Sequence, residues 1–235
     1  MKNYTLGRGV VLLSNGNGYE PFGNVTDFTI SVKTEKLEHY STESGIKVKD
    51  AEITKSLDFN VKFEVDELKK ETLEKFILGS TSQQSQSAAT VTDEAINGVK
   101  QGFWYKLANY NVSSVVVTDS TGNTTYTEGT DYKVDSSAGA IYIIEGGNIP
   151  DNSDILVDYT AAAITTDKIT GGQKYSITGQ LWFKGDPPVG TVVDVLGDVS
   201  LTPSGDLSLI GDDWLKVGFE GTFTSKPQII VRGNR

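Results

Sequence analysis

From Ala51 to Val65 the chain reads AEITKSLDFNVKFEV, an almost unbroken alternation of apolar and polar residues. Ile53, Leu57, Phe59, Val61, Phe63 and Val65 fall on one parity. Glu52, Thr54, Ser56, Asp58, Asn60, Lys62 and Glu64 fall on the other, and only Lys55 breaks the pattern. Successive side chains of a strand point to opposite faces, so this stretch predicts one long, half-buried strand. At ~3.3 Å per residue it would reach ~50 Å, well beyond a usual strand of about five or six residues. Residues 25–35 alternate in the same way: Phe28, Ile30 and Val32 face one side, and Asp27, Thr29, Ser31 and Lys33 the other. They are the natural partner of the longer strand. Together the two predict a sheet that is greasy on one side and wet on the other, which is how a protein builds a wall.

At 235 residues, with 25 glycines and 6 prolines, the chain suits a turn-rich β protein large enough for one domain plus an insert. The net charge of −10 repels nucleic-acid phosphates and argues against tight nucleic-acid binding, although repulsion would suit a wall past which DNA slides. Cysteine is absent, which removes disulfides, thiolate nucleophiles and cysteine metal sites together. No apolar run approaches 20 residues, and MKNYTLGRGVVLLSNGNG lacks the apolar segment and cleavage site of a secretory signal. No membrane contact is expected.

Along the chain, residues 3–13 predict a first strand and Asn15-Gly16-Asn17-Gly18 a turn. Residues 36–50 (KLEHYSTESGIKVKD) are charged and lack a core pattern, so they read as a long loop, either a solvated flap or a functional element. Asp66–Gly79 predicts a helix capped by Asp66, with Leu68, Leu73, Phe76 and Ile77 as its apolar stripe. Residues 80–92 (STSQQSQSAATVT) read as a polar linker. Short alternating runs at 113–118, 141–144 and 155–160, separated by glycine-containing turns, predict a small antiparallel module. Residues 105–164 hold eight carboxylates against Lys106 and Lys133, a net −6 that favours an external position for an insert. Strand character returns at 174–183, 189–196, 214–224 and 228–232. The expected organisation is therefore one β domain of residues 1–104 and 165–235, interrupted by an acidic β module at 105–164.

Catalytic chemistry is hard to find. His39 is the single histidine and has no cysteine or second histidine to work with. Asp151, Asn152, Ser153, Asp154 and Asp158 could attract calcium but lack the glycine and closing glutamate of an EF-hand loop, so they read as a turn. Trp104, Trp182 and Trp214 are scattered and read as core. No catalytic, cofactor or metal site emerges, and the chain reads as a non-enzyme with no cofactor.

The ordered segments YTLGRGVVLL, PFGNVTDFTISVKTEKLEHYS, GIKVKD, ITKSLDFNVKFEVDEL and FILG resemble the tail tube (major tail) proteins of long-tailed bacteriophages, over residues 1–80 and more loosely 173–235. YTEGTDYKVDSSAG also resembles a β unit inserted in some of them. The resemblance implies a tail-tube-type β-sandwich or barrel with one packed α-helix. It further implies homohexameric rings whose sheets close a shared β-barrel and stack into a tube. The implied partners are other copies of the chain, the tape measure protein, the tail terminator, and baseplate or tip proteins. A sheath would join them in a contractile tail. Genome DNA would pass without specific binding, in a virion assembled in the host cytoplasm. Six copies at −10 would place ~−60 on each ring, a field that keeps DNA off the wall.

On this reading Asp27, Thr29, Ser31, Thr54, Ser56 and Asp58 line the channel with Glu52 and Asn60 as neighbours, unless that polar face is simply external. The loop with Lys36, Glu38, His39, Glu43, Lys47, Lys49 and Asp50 would touch the next ring, as the corresponding loop does in the family. A tube subunit of a bacterial contractile injection or secretion system shares the expected fold. An extracellular adhesin or carbohydrate-binding β-sandwich is the reading from a different class.

Overall fold

The computed structural model describes residues 4–14, 16–43 and 45–234. Two compact units divide the chain, Met1–Thr81 with Ile169–Arg235, and Ser82–Lys168. In chain order the elements are β1 (Gly9–Ser14), β2 (Tyr19–Pro21), β3 (Val25–Ser41), β4 (Val48–Val65) and the helix α1 (Lys70–Phe76). There follow β5 (Ser80–Gln86), β6 (Ala89–Val99), β7 (Trp104–Lys106), β8 (Val112–Asp119), β9 (Tyr132–Asp135), β10 (Ala140–Ile143), β11 (Ser153–Ala161) and β12 (Ile164–Thr170). The chain ends with β13 (Ile177–Gly185), β14 (Thr191–Ser204), β15 (Val217–Phe223) and β16 (Gln228–Asn234). The fold is mainly β, as the alternation requires.

The first unit is one antiparallel sheet in the order β2-β1-β13-β14-β15-β4-β3, with β16 also paired to β14. It does not close into a barrel within the chain. Its inner face gathers Val11, Leu181, Val199, Leu201 and Phe219 with Val61, Phe63 and Val65, all essentially buried. Phe63 sits at the centre, with its ring centroid 4.8 Å from Phe22 and 5.4 Å from Phe219. Each partner thus adds aromatic contact beyond simple burial.

Helix α1 is shorter than the sequence suggests, and Asp66 does not cap it. Lys69 holds the N-cap position with no side-chain cap, while the Asp66 carboxylate accepts a hydrogen bond from Asn24 Nδ2 at 2.6 Å. Leu68 and Phe76 pack on the core as expected, joined by Leu78 rather than by Leu73 or Ile77. Thr72, which an apolar pattern cannot reveal, is buried and donates its hydroxyl to the Phe22 carbonyl at 3.1 Å.

The second unit is wider than the expected 105–164 module. The stretch read as a linker, 80–92, forms β5 and the start of β6. Its serines and glutamines carry no periodicity, yet their backbone finds strand partners: β5 pairs with β12, and β6 with β11. Two three-stranded sheets, β6-β11-β8 and β7-β10-β9, share a core around Ile141, Ile143, Ile155, Val157 and Tyr159.

Much of this unit's acidity is turn chemistry. Buried Asp131 accepts hydrogen bonds from the backbone N–H groups of Thr127 and Asn148, both at 2.8 Å, and these hold its carboxyl below the usual range. Asp151 and Asp154 each use one carboxylate oxygen in loop closure, accepting from the backbone N–H of Gln101 and Gly98, both at 2.8 Å. Two of the tryptophans read as core are on the surface: Trp104 and Trp214 are exposed, and Trp214 precedes β15 instead of belonging to it.

Candidate assembly interface

β3 and β4 pair from Val25 opposite Val65 to Ser41 opposite Val48. β15 continues the sheet only along Asn60–Val65 of β4. Beyond that the two strands run on as a ribbon, and the fifteen-residue loop expected at 36–50 shrinks to a turn at 42–47. Lys36, Glu38 and His39 lie in β3, Lys49 and Asp50 in β4, and Glu43 and Lys47 in the turn. The composition that looked like a loop is a ladder of cross-strand charge pairs, which stabilise a ribbon without any core.

Lys36, Glu38 and Lys49 form one network with Glu52, and His39 and Asp50 form a separate pair. Lys36 Nζ lies 2.5 Å from the Glu52 carboxylate, and Lys49 bridges Glu52 and Glu38, the latter at 2.6 Å. Tyr40 donates its hydroxyl to Glu38 at 2.6 Å, and Lys47 sits 4.8 Å above the Tyr40 ring. His39 Nδ1 is 2.6 Å from the Asp50 carboxylate. Hydrogen bonds from Lys36 first, then Lys49, hold the Glu52 carboxyl down at about 2. Hydrogen bonds to Glu38 first, then Glu52, push the Lys49 ammonium upward. A carboxyl lowered on folding stabilises the folded form above its unfolded value and loses that effect as pH falls through its folded value. The ribbon is therefore expected to stay ordered at pH 5 and to loosen progressively toward pH 2, read as faster amide exchange at Lys36, Glu38 and Glu52. Exchange unchanged between pH 5 and pH 2, after correction for intrinsic rates, would contradict this.

Lys55, the residue that broke the alternation, is a β-bulge. Glu35 pairs with Ser56 and Lys36 with Thr54, leaving Lys55 unpaired in the register, with its ammonium 3.2 Å from Glu35. A bulge shifts the parity of everything beyond it. Asp27, Thr29 and Ser31 therefore share the face opposite the core with Asn60, Asp58 and Ser56, through the pairs Asp27–Glu64, Thr29–Lys62, Ser31–Asn60, Lys33–Asp58 and Glu35–Ser56. Thr54 and Glu52 do not. They pair with Lys36 and Glu38 on the other face, so two of the eight proposed lining residues leave the wall, and Glu52 joins the ion network instead.

The same shift carries Ile53, opposite Leu37, to the face away from Leu57. The ribbon thus exposes apolar side chains on both faces: Val32 and Leu57 nearer the sheet on its core side, and Leu37 and Ile53 further out on the opposite side. The polar face itself continues across the sheet through Glu220 and Thr222 of β15 and Ser200 and Thr202 of β14, by register.

Two further exposed features were not legible as sites. β16 pairs with β14 alone and exposes Ile229, Ile230 and Val231. The segment 205–216, between β14 and β15, exposes Leu209, Ile210 and Trp214 among Asp206, Asp212 and Asp213. In sequence these apolar residues are indistinguishable from core.

No match is found among curated proteins. A family model does match, covering residues 4–233 and so nearly the whole chain. The chain belongs to the family described as "Protein of unknown function UCP028589".

Proposed function

We propose that this chain is the structural subunit of a phage tail-type tube, a ring-forming protein that stacks around a channel for genome passage. The observation that carries the reading is that two long, unlike strands of the sheet, β3 and β16, each have an open edge. β3 has β4 on one side and no strand on the other among the described residues, and β16 is likewise paired on one side only. Long open edges are a hazard unless something covers them. Here the apolar face also runs out past the core along both of these strands. Val32, Phe59 and Leu57 continue it along the β3–β4 ribbon, while on β16 Ile229 lies opposite the core residue Val195 of β14 and Val231 opposite Val193.

Pairing of β3 of one copy with β16 of the next would make that apolar face continuous and cover both edges. Two unlike patches give a head-to-tail contact, which closes into a ring when the rotation permits. The partners on this reading are further copies of the chain, the tape measure, terminator and baseplate or tip proteins, and DNA in passage, all within a virion tail. Among the described residues no helix is long and apolar enough to cross a membrane. The role is structural, not catalytic.

The face opposite the core, with Asp27, Asp58, Glu64 and Glu220 against Lys33 and Lys62, is then the channel wall. Sedimentation velocity at rising concentration tests assembly: a discrete ring-sized species is expected, and a monomer at every concentration would overturn the reading. The wall assignment has its own test. Asp27→Lys with Asp58→Lys should leave assembly intact and slow DNA release several-fold, most strongly at low salt, where charges act furthest. Normal release from normally assembled tails would assign that face to the exterior.

A further inference from the structure

We propose that the outer face of the β7-β10-β9 sheet, in the second unit, binds an acidic polysaccharide that carries a carboxylate on alternate sugars. This goes beyond the assembly reading and does not depend on it. Strand register builds the face. Tyr142 of β10 lies between Trp104 of β7 and Lys133 of β9, and Ala140 lies in the same way between Lys106 and Asp135. Ile141 and Ile143, which alternate with them along β10, belong to the core, so these six side chains share the solvent side of the sheet.

The aromatic rings on this face do nothing for the fold. Trp104 is 57% exposed, and its ring centroid lies 5.3 Å from that of Tyr142, the two planes tilted by 44°. Tyr110 joins them through Lys106, whose ammonium donates to its hydroxyl at 2.6 Å. Tyr126, Tyr132 and Tyr159 of the same unit are by contrast in its core. Contiguous exposed apolar surface, unlike single scattered residues, marks a site of interaction. Flat rings with a polar rim suit a sugar: its C–H face packs on the ring, and its hydroxyls reach the indole N–H and the phenol. Ala140 keeps the face low beside Tyr142, which leaves room for such a ring to lie flat.

Charge says which sugar. Lys106 and Lys133 are the only basic residues among 105–164, against eight carboxylates, and both stand on this face, where Asp135 is the one carboxylate. Asp119, Asp154 and Asp158 belong to strands of the other sheet. The face is therefore a cationic patch on an acidic body, complementary to an anion. With strands ~4.8 Å apart and ~3.4 Å per residue, the two lysines stand about 12 Å apart between Cα atoms, so they meet two separated acidic groups. The acidic surroundings limit how densely those groups can follow one another. DNA carries a charge per ~1.7 Å of its axis and would be repelled along most of its length. A carboxylate on alternate sugars leaves neutral sugar between the charges. Asp135, whose Oδ1 accepts from the Ser137 hydroxyl at 2.8 Å and the Ala138 N–H at 3.0 Å, keeps Oδ2 for a sugar hydroxyl.

Isothermal titration of the full-length chain tests this with three probes. They are a hyaluronan hexasaccharide, which has a uronate on alternate sugars, chitohexaose as its neutral counterpart, and an oligo-dT as the dense polyanion. The hyaluronan fragment should bind at least tenfold more tightly than either of the others, and less tightly as salt rises. Trp104→Ala should weaken it more than tenfold. Lys133→Gln should weaken it several-fold and flatten the salt dependence. Both replace exposed side chains, so the circular dichroism spectrum should not change, and Trp214→Ala in the first unit should bind as the wild type does. No binding of the hyaluronan fragment, equal binding of chitohexaose, tighter binding of oligo-dT, or full affinity in Trp104→Ala would each overturn the proposal. So would a Trp104→Ala chain that no longer assembles, since the face would then be a contact between copies. None of the binding results bears on ring formation, which sedimentation of the wild-type chain tests separately.

Discussion

Replacing residues 35–56 by a two-residue Asn-Gly turn should give a chain that folds and forms rings but never tubes. Thr34 and Leu57 are cross-strand partners, so a type I′ turn can join them with little change to the strands below. The described residues of the removed segment contribute nothing to the first unit's core: they are exposed or half-buried, and their ion pairs lie among themselves. Exposed ion pairs are worth at most about 1 kcal/mol each, so thermal stability should barely change. Assembly is different, because Leu37 and Ile53 leave with the segment while the β3 edge near the sheet remains. Sedimentation and electron microscopy should therefore find one ring-sized species with no growth at any concentration. Tubes of normal length from this variant would show that the tip is not the stacking element.

Phe63→Ala should be the most damaging single substitution in the first unit. Phe63 is completely buried and meets Phe22 at 4.8 Å, Phe219 at 5.4 Å and Phe28 at 6.2 Å between ring centroids. Removing it deletes the side chain around which the helix-proximal and sheet aromatics pack, and the surrounding strands are held in register on both sides by β3 and β15. A site that cannot collapse around the gap loses about 3–5 kcal/mol for a phenylalanine truncation. That is a large share of the ~5–15 kcal/mol of a typical domain. A fall in the urea midpoint, with faster amide exchange through β4 and β15, is the expected result. A change under 1 kcal/mol would mean that the aromatic cluster is not the keystone of this sheet.

The parts of the fold that were legible in the sequence are those where burial imposes a period of two. The pairing of residues 25–35 with 51–65 follows from Phe28, Ile30 and Val32 facing Phe63, Val61 and Phe59, and the structure sets those residues directly opposite one another. Where burial ends, the signal ends. Lys36 to Asp50 looked like a loop because ion pairs, not core contacts, hold that ribbon, and charged residues carry the same composition in either conformation. Residues 80–86 looked like a linker because a polar strand has no contrast between its faces.

The bulge explains the errors at the candidate site. Lys55 was visible as a misfit, but one anomalous residue in an alternating run can be either a mispointed side chain or an inserted one. Only the cross-strand register distinguishes them. Read as a mispointed side chain, it leaves Thr54 and Glu52 on the wall and Ile53 beside Leu57. As an insertion it moves the first two to the other face, where Glu52 joins the ion network, and it carries Ile53 away from Leu57. The exposed apolar residues of β16 and the 205–216 loop were illegible for the complementary reason: hydrophobicity alone does not say whether the covering surface belongs to the same molecule or to another.

The central claim is that the open sheet of one copy is completed by others into a hollow assembly. Negative-stain electron microscopy of the purified full-length chain, concentrated at neutral pH, tests it most directly. The account predicts end-on views of rings with a stain-filled central hole, and side views of their stacks. A field of single compact particles, with neither rings nor stacks at any concentration tried, would contradict it.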